Sequence, residues 1–289
     1  MPPEPYRLSM PVRRSTGAVF ASPHSGRDYP PEFLAATRLD ARSIRSSEDC
    51  FVDRLFAQAP AFGAPLLAAT APRAFVDVNR AADELDPSVI EGVNAVAFNP
   101  RIASGLGVIP RVVANGREIY VAKLTRAEAE ARIDTWHRPY HSRLRALLDE
   151  AHAEFGAALL VDCHSMPHEA LEGTVPAGAP RPEIVLGDRF GASCAPDVTD
   201  AIEAFLIAEG LRVARNAPFA GAYVAQAYGR PRRGVHVIQI EIDRALYMDE
   251  TTLAQRPEFE AVCASLGRVV AHICELARGG TGALPLAAE

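Results

Sequence analysis

Two histidines stand where apolar runs stop: His24 follows "GAVFA" in "SPHSG", and His164 closes "AALLVDCHS". A third polar cluster, "SSEDCFVDRLF", places Glu48 and Asp49 at the start of a predicted helix, with Asp53 one turn on from Asp49. Two imidazoles and one carboxylate, with a fourth position left to water, are the donor set of a catalytic zinc centre. The ligands would come from distant segments, so no local spacing marks them, and Glu48 and Asp49 are both candidates. A single histidine at a strand end also reads as a structural residue. Finding two, each ending an apolar run and each followed by serine, puts the metal reading level with the structural one.

A carboxylate in "VIQIEI" raises a related question. Glu241 is flanked by isoleucines, and a buried acid must pair, coordinate or titrate. It suits a general base that takes a proton from an activated water, or else a partner for an arginine such as Arg244 or Arg73. Side-chain alternation along a strand would set Gln239, Glu241 and Asp243 on one face and His236 on the other. In "FVDVNR", Asp77, Asn79 and Arg80 close another apolar run. Arg80 could grip a carboxylate with two parallel hydrogen bonds, or form a surface ion pair. "HRPYH" sets His137 and His141 four apart, yet no glutamate follows His137 and Pro139 breaks the turn, so packed or supporting histidines fit better than ligands. "LGDRFGASC" lacks a phosphate-cradling pattern and reads as a plain turn.

The elements that must carry these residues follow from short apolar runs bounded by Gly, Pro or Asp. Strands are expected at 17–23, 65–70, 74–79, 157–165, 183–188 and 234–243. Helices are expected at roughly 31–37, 48–58, 198–209 and 257–277, and from Thr125, where "TRAE" is a capping box; Pro139 should bend that last helix. Strands alternating with helices indicate an α/β fold with a mixed, mostly parallel sheet covered on both faces. Polar strand ends are then where a ligand would gather. Residues 81–120 form a long excursion with many turn residues. The chain reads as one domain over 1–289, with a loose arm at 1–16 and a tail at 279–289.

Composition narrows the function classes. A net charge of −6, with Lys123 the only lysine, argues against a nucleic-acid surface, which needs clustered cations. The five cysteines are scattered and form no C-x-x-C pair, so neither a disulfide framework nor a thiolate zinc site is indicated. No stretch approaches the roughly 20 apolar residues of a membrane span, and the N-terminus lacks the apolar core of a signal peptide. A cytoplasmic enzyme acting on a small molecule is the expectation.

The stretches "SPHSG", "ED" before a helix, "FVDVNR", "RPYH", "VDCHS", "GASCAP", "NAPFAGAYVAQAYG" and "GVHVIQIEIDRALYM" occur in order from about residue 20 to 250. Together they resemble the N-formylglutamate amidohydrolase family. The resemblance implies a three-layer α/β/α, phosphorylase/hydrolase-like fold akin to zinc carboxypeptidases and aspartoacylases. It implies one zinc ion, or another divalent metal, held by His24, Asp49 and His164, with Glu48 as the alternative carboxylate. Glu241 matches the general base. Asn79 and Arg80 match the carboxylate grip, Tyr223 and Tyr228 the pocket wall, and Ser25, Asp162 and His141 the residues that support the ligands. The implied reaction removes formyl from N-formyl-L-glutamate or a related N-acyl amino acid, as in histidine degradation. Cys50–Phe51 departs from the Trp-His of some relatives, which keeps open other N-acyl amino acids or short peptides, or a non-catalytic binding role.

Overall fold

The computed structural model describes residues 4–94, 99–173 and 180–279. Most of the expected tail, part of the N-terminal arm and residues 95–98 of the long excursion lie outside them. The chain gathers into two compact units, one of Met1–Arg7, Pro23–Asp49 and Ala68–Arg143, the other of Leu8–Ser22, Cys50–Leu67 and Leu144–Glu289. The fold is α/β, built on a mixed seven-stranded sheet with flanking helices. The strands are β1 (Tyr6–Ser9), β2 (Ala18–Ser22), β3 (Leu66–Ala69), β4 (Ala158–Met166), β5 (Ile184–Gly187), β6 (Val213–Arg215) and β7 (Val235–Asp243), in the order β1-β3-β2-β4-β7-β5-β6. The helices are α1 (Pro31–Ala36), α2 (Val52–Leu55), α3 (Pro100–Ala103), α4 (Arg126–Arg132), α5 (Arg138–Phe155), α6 (Pro196–Ala208), α7 (Tyr223–Tyr228) and α8 (Phe259–Leu276).

In the second unit, β4 lies between β2 and β7 and runs parallel to both, while β5 runs antiparallel to β7. One face of these strands is wholly apolar. Phe20, Leu159, Val161, Cys163, Ile238, Ile240 and Ile242 pack with Leu55 of α2, Ile202 and Leu206 of α6, and Leu266, Val269 and Ile273 of α8. Each fully buried Leu or Ile side chain there contributes about 1.5–3 kcal/mol. Because side chains alternate, the opposite face of β4 and β7 is left to Asp162, His164, Gln239, Glu241 and Asp243. The five cysteines are free. Among the described residues no helix is long and apolar enough to cross a membrane.

The first unit has its own core, in which Phe33, Phe75, Ile90, Ile109, Ile119 and Ile133 are buried. Arg132 lies over the Phe75 ring at 4.1 Å and donates to Tyr120 Oη at 2.7 Å. The Thr125 capping box forms as expected: Thr125 Oγ1 accepts from Glu128 N, and the Glu128 carboxylate accepts from Thr125 N.

Two local expectations need correction, and a third region departs from regular helix. Residues 74–79 are not a strand. Phe75 N and Val76 N both donate back to Pro72 O, and the Asp77 carboxylate accepts from Asn79 N, so the run closes into turns while Phe75 and Val76 are still buried. The helix expected from residue 48 starts only at Val52, because Phe51 sits at φ 65 and ends any helical run before it. This conformation is costly for an aromatic residue, and the Phe51 ring packs edge-on against Phe259 at 5.8 Å. Ahead of Pro139 the helix does not stay a regular α-helix. Instead Ile133–His137 widens to a π-turn, with Arg138 N donating to Ile133 O. The wider turn accommodates a proline that has no N–H to offer.

Candidate metal centre

The turn "SPHSG" is shaped by Gly26. A Cβ there would come within 2.1 Å of Ala71 O, so only glycine lets the chain run this close to the Thr70–Ala71 backbone. Asp28 N donates to Thr70 O at 3.0 Å and completes the docking. His24 and Ser25 are buried in this turn. The His24 Nε2 lies 2.7 Å from Asp77 Oδ1. Asp77 also accepts from Asn79 N at 2.8 Å and from Arg73 Nη2 at 3.0 Å. Burial alone would raise the Asp77 pKa, but the charges of His24, Arg73 and Arg80 outweigh it and hold the carboxyl well below its usual range. An ionised carboxylate only accepts, so Nε2 is the nitrogen that donates to Asp77, and in the neutral ring Nδ1 would carry the lone pair. That nitrogen faces Asp49 Oδ2 at 3.4 Å, and Asp49 N donates to His24 O at 3.0 Å.

The two neighbouring acids have separate surroundings. Glu48 accepts from Arg45 through both oxygens, at 2.9 and 3.0 Å, and from Tyr29 Oη at 3.2 Å. Asp49 turns toward His24.

Arg80 is buried. Its Nε donates to Leu106 O at 2.9 Å and its Nη1 to Asn79 O at 2.8 Å. Burial pushes its pKa down from the ordinary guanidinium value, although an arginine stays charged. No carboxylate lies within ion-pair distance of it among the described residues. The segment 78–80 is held by the "HRPYH" imidazoles: His141 Nε2 is 2.7 Å from Val78 O and His137 Nε2 is 2.8 Å from Arg80 O. Burial lowers the His137 pKa, outweighing the hydrogen bond to Arg80 O, which acts in the opposite direction. Both histidines are thus supports for the backbone on either side of Asn79.

The second unit has a polar row of its own. In the β4–β7 register His164 pairs with Glu241 and Asp162 with Gln239. Paired strands lie about 4.8 Å apart, so residues 77 apart in sequence become lateral neighbours. His164 and Glu241 are both buried, and His164 Nε2 lies 3.1 Å from Asp162 Oδ2. Gln239 Oε1 accepts from Ala222 N at 3.2 Å, which turns its amide NH2 toward Glu241 Oε1 at 2.8 Å. Glu241 is thereby held as an acceptor. Of the arginines weighed as its partners, Arg73 donates to Asp77, and Arg244 donates to Ser165 Oγ at 3.2 Å with Glu250 at 3.8 Å. Tyr223 opens α7 half-buried, whereas the Tyr228 ring is buried beneath the Arg145 guanidinium at 4.9 Å.

Asp77 holds the His24 ring and Gln239 the Glu241 carboxylate, contacts that could not be assigned from sequence. The available signal was only their position, two residues from Asn79 and from Glu241.

The pattern of the N-formylglutamate amidohydrolase family matches residues 16–248. An N-formylglutamate deformylase from Pseudomonas aeruginosa is 31% identical over 242 residues, 80% of this chain and 82% of that protein. One from Pseudomonas putida is 28% identical over 240 residues, 81% of this chain and 82% of that protein. The crystal structure of an N-formylglutamate amidohydrolase from Ralstonia eutropha JMP134, 36% identical, superposes with a TM-score of 0.89 over 95% of this chain and 98% of that one. A match this long, over a backbone this similar, means that the chain belongs to the N-formylglutamate amidohydrolase family.

Proposed function

We propose that this chain is a metal-dependent N-formylglutamate deformylase whose ion is held by His24, Asp49 and His164. The donor set supports the reading: all three residues are buried, and each offers one nitrogen or oxygen to a group that could hold a metal. The carboxylate–histidine pairs of Asp77 with His24 and Asp162 with His164 are the outer contacts that typically fix and strengthen imidazole ligands. Glu48, engaged by Arg45 through both oxygens, is the weaker candidate beside Asp49.

When bound, a zinc ion supplies a water ionised near pH 7 and positive charge for the acyl oxygen. Glu241 takes the proton released as water attacks the formyl carbon, and returns it to the departing amine nitrogen. Gln239 keeps the receiving oxygen aimed during both transfers. Arg80, charged and without a carboxylate partner among the described residues, receives a substrate carboxylate, and Asn79 beside it adds a polar contact. Fixing the substrate there turns binding energy into orientation. Tyr223 forms part of the pocket wall, and Tyr228 supports it from behind. The observation that carries the reading is the strand register that seats Glu241 beside His164.

The test is release of formate by the zinc-replete protein from N-formyl-L-glutamate, with N-acetyl-L-glutamate and a glutamyl dipeptide in parallel. One added methyl group in a fitted pocket costs about 10- to 200-fold in kcat/KM, so the formyl substrate should lead by that margin. Absence of formate, or preference for acetyl or peptide, would refute the assignment.

A further inference from the structure

Within the first unit, residues 38, 88, 89, 111, 118 and 120–123 form a groove of about 170 Å³. Three cations, Arg38, Arg111 and Lys123, line it together, against one carboxylate, Glu118. On a chain of net charge −6 this is a local reversal of sign. None of these residues belongs to the proposed metal centre.

The backbone under each cation is fixed. Arg38 N donates to Ile119 O and Arg111 O accepts from Ile119 N, both at 2.9 Å, so one fully buried residue ties the two arginine segments together. Lys123 precedes Leu124, whose N donates to Val89 O at 2.9 Å and whose O accepts from Glu91 N at 2.9 Å. Val89 and Tyr120, both buried, belong to the lining, and the Tyr120 hydroxyl is taken up by Arg132.

Each cation has donors to spare. Lys123 Nζ donates to Pro87 O at 2.9 Å, which uses one of its three N–H groups. Arg38 reaches Glu118 through Nη1 at 2.9 Å, leaving Nε and Nη2 without a partner among the described residues. Arg111 commits Nε to Asp86 at 3.1 Å and Nη2 to Ala103 O at 3.4 Å, leaving Nη1. The Ser88 hydroxyl also has no partner among the described residues; only its backbone N is engaged, by Asp86.

The acids do not neutralise the groove. Asp86 is buried against Arg111 and is not part of the lining. Glu118 and Arg38 are both about half exposed, and an exposed pair of this kind contributes little and parts readily. We propose that the groove binds a small oxyanion, a phosphate or carboxylate group held by Arg38, Arg111, Lys123 and the Ser88 hydroxyl. An arginine offers such a head paired N–H groups, and lysine adds a point charge. The volume is below that of a pocket for a drug-sized molecule and suits a ligand of few atoms. The site does not depend on the deformylase reading.

Lys123, the only lysine, is a single reporter for the test. Zinc-replete protein grown with lysine isotopically labelled at Cε should give one labelled methylene signal in a proton–carbon correlation spectrum. That signal is followed during titration with inorganic phosphate and with glutarate, with chloride at matched ionic strength as the control. A saturating shift with either oxyanion, absent with chloride, is the expected result and identifies the preferred head group. Arg38→Gln should weaken the binding by about 10- to 100-fold, and Glu118→Gln should strengthen it by up to about fivefold. Both side chains are exposed, so neither substitution disturbs the core. A shift that never saturates, one that chloride reproduces, or affinities that do not move in opposite directions in the two variants would overturn the site.

Discussion

Replacing Glu241 with glutamine is expected to lower kcat by about 100- to 10,000-fold, the usual range for removing a general base, with full metal content retained. The substitution preserves shape. The new amide can turn its oxygen toward the NH2 of Gln239, so the 2.8 Å contact survives and the β7 strand keeps its packing. What it loses is the ability to take up and return a proton. Metal stoichiometry should not change, because Glu241 is not among the proposed ligands. Paired measurements of turnover and bound metal separate this role from a structural one. A variant turning over at the wild-type rate would remove Glu241 from the chemistry, and a variant stripped of metal would make it a ligand.

Loss of a ligand histidine should have the opposite signature. In His24→Ala or His164→Ala a buried nitrogen donor disappears, and both metal content and activity should fall together. Replacement of an outer carboxylate typically costs 10–100-fold in metal affinity, so loss of the ligand itself should exceed about 100-fold. Asp77→Asn provides the graded comparison. It removes the charge that Arg73 and His24 face while leaving an oxygen near Nε2, and should weaken the metal by about 10- to 100-fold. Competition with a chelator of known affinity ranks the variants. Full zinc stoichiometry in His24→Ala would contradict the ligand assignment.

How far sequence reasoning reached depended on whether a signal was local. Strands β2, β3, β4, β5 and β7 were readable because each is a short apolar run stopped by turn residues, and all five are buried. Strands β1 and β6 escaped because "YRLS" and "VAR" are short edge segments with little apolar content. The six residues of α7 were too few to show a helical period. Residues 74–79 misled because burial of an apolar run does not require a ladder, and here turns satisfied the backbone instead. At the site, residue chemistry was legible and partnership was not. His24, His164 and Glu241 stood out by type and place. That Glu48 is held by Arg45 and that Asp77 pairs with His24 both depend on contacts made only in the folded chain.

The most direct measurement is X-ray diffraction at the zinc absorption edge from crystals of the zinc-loaded protein. The predicted result is one anomalous peak about 2.0–2.2 Å from His24 Nδ1, an Asp49 oxygen and a ring nitrogen of His164, with Glu241 outside bonding distance. A peak on Glu48, a peak lacking either histidine, or no peak at all would contradict it.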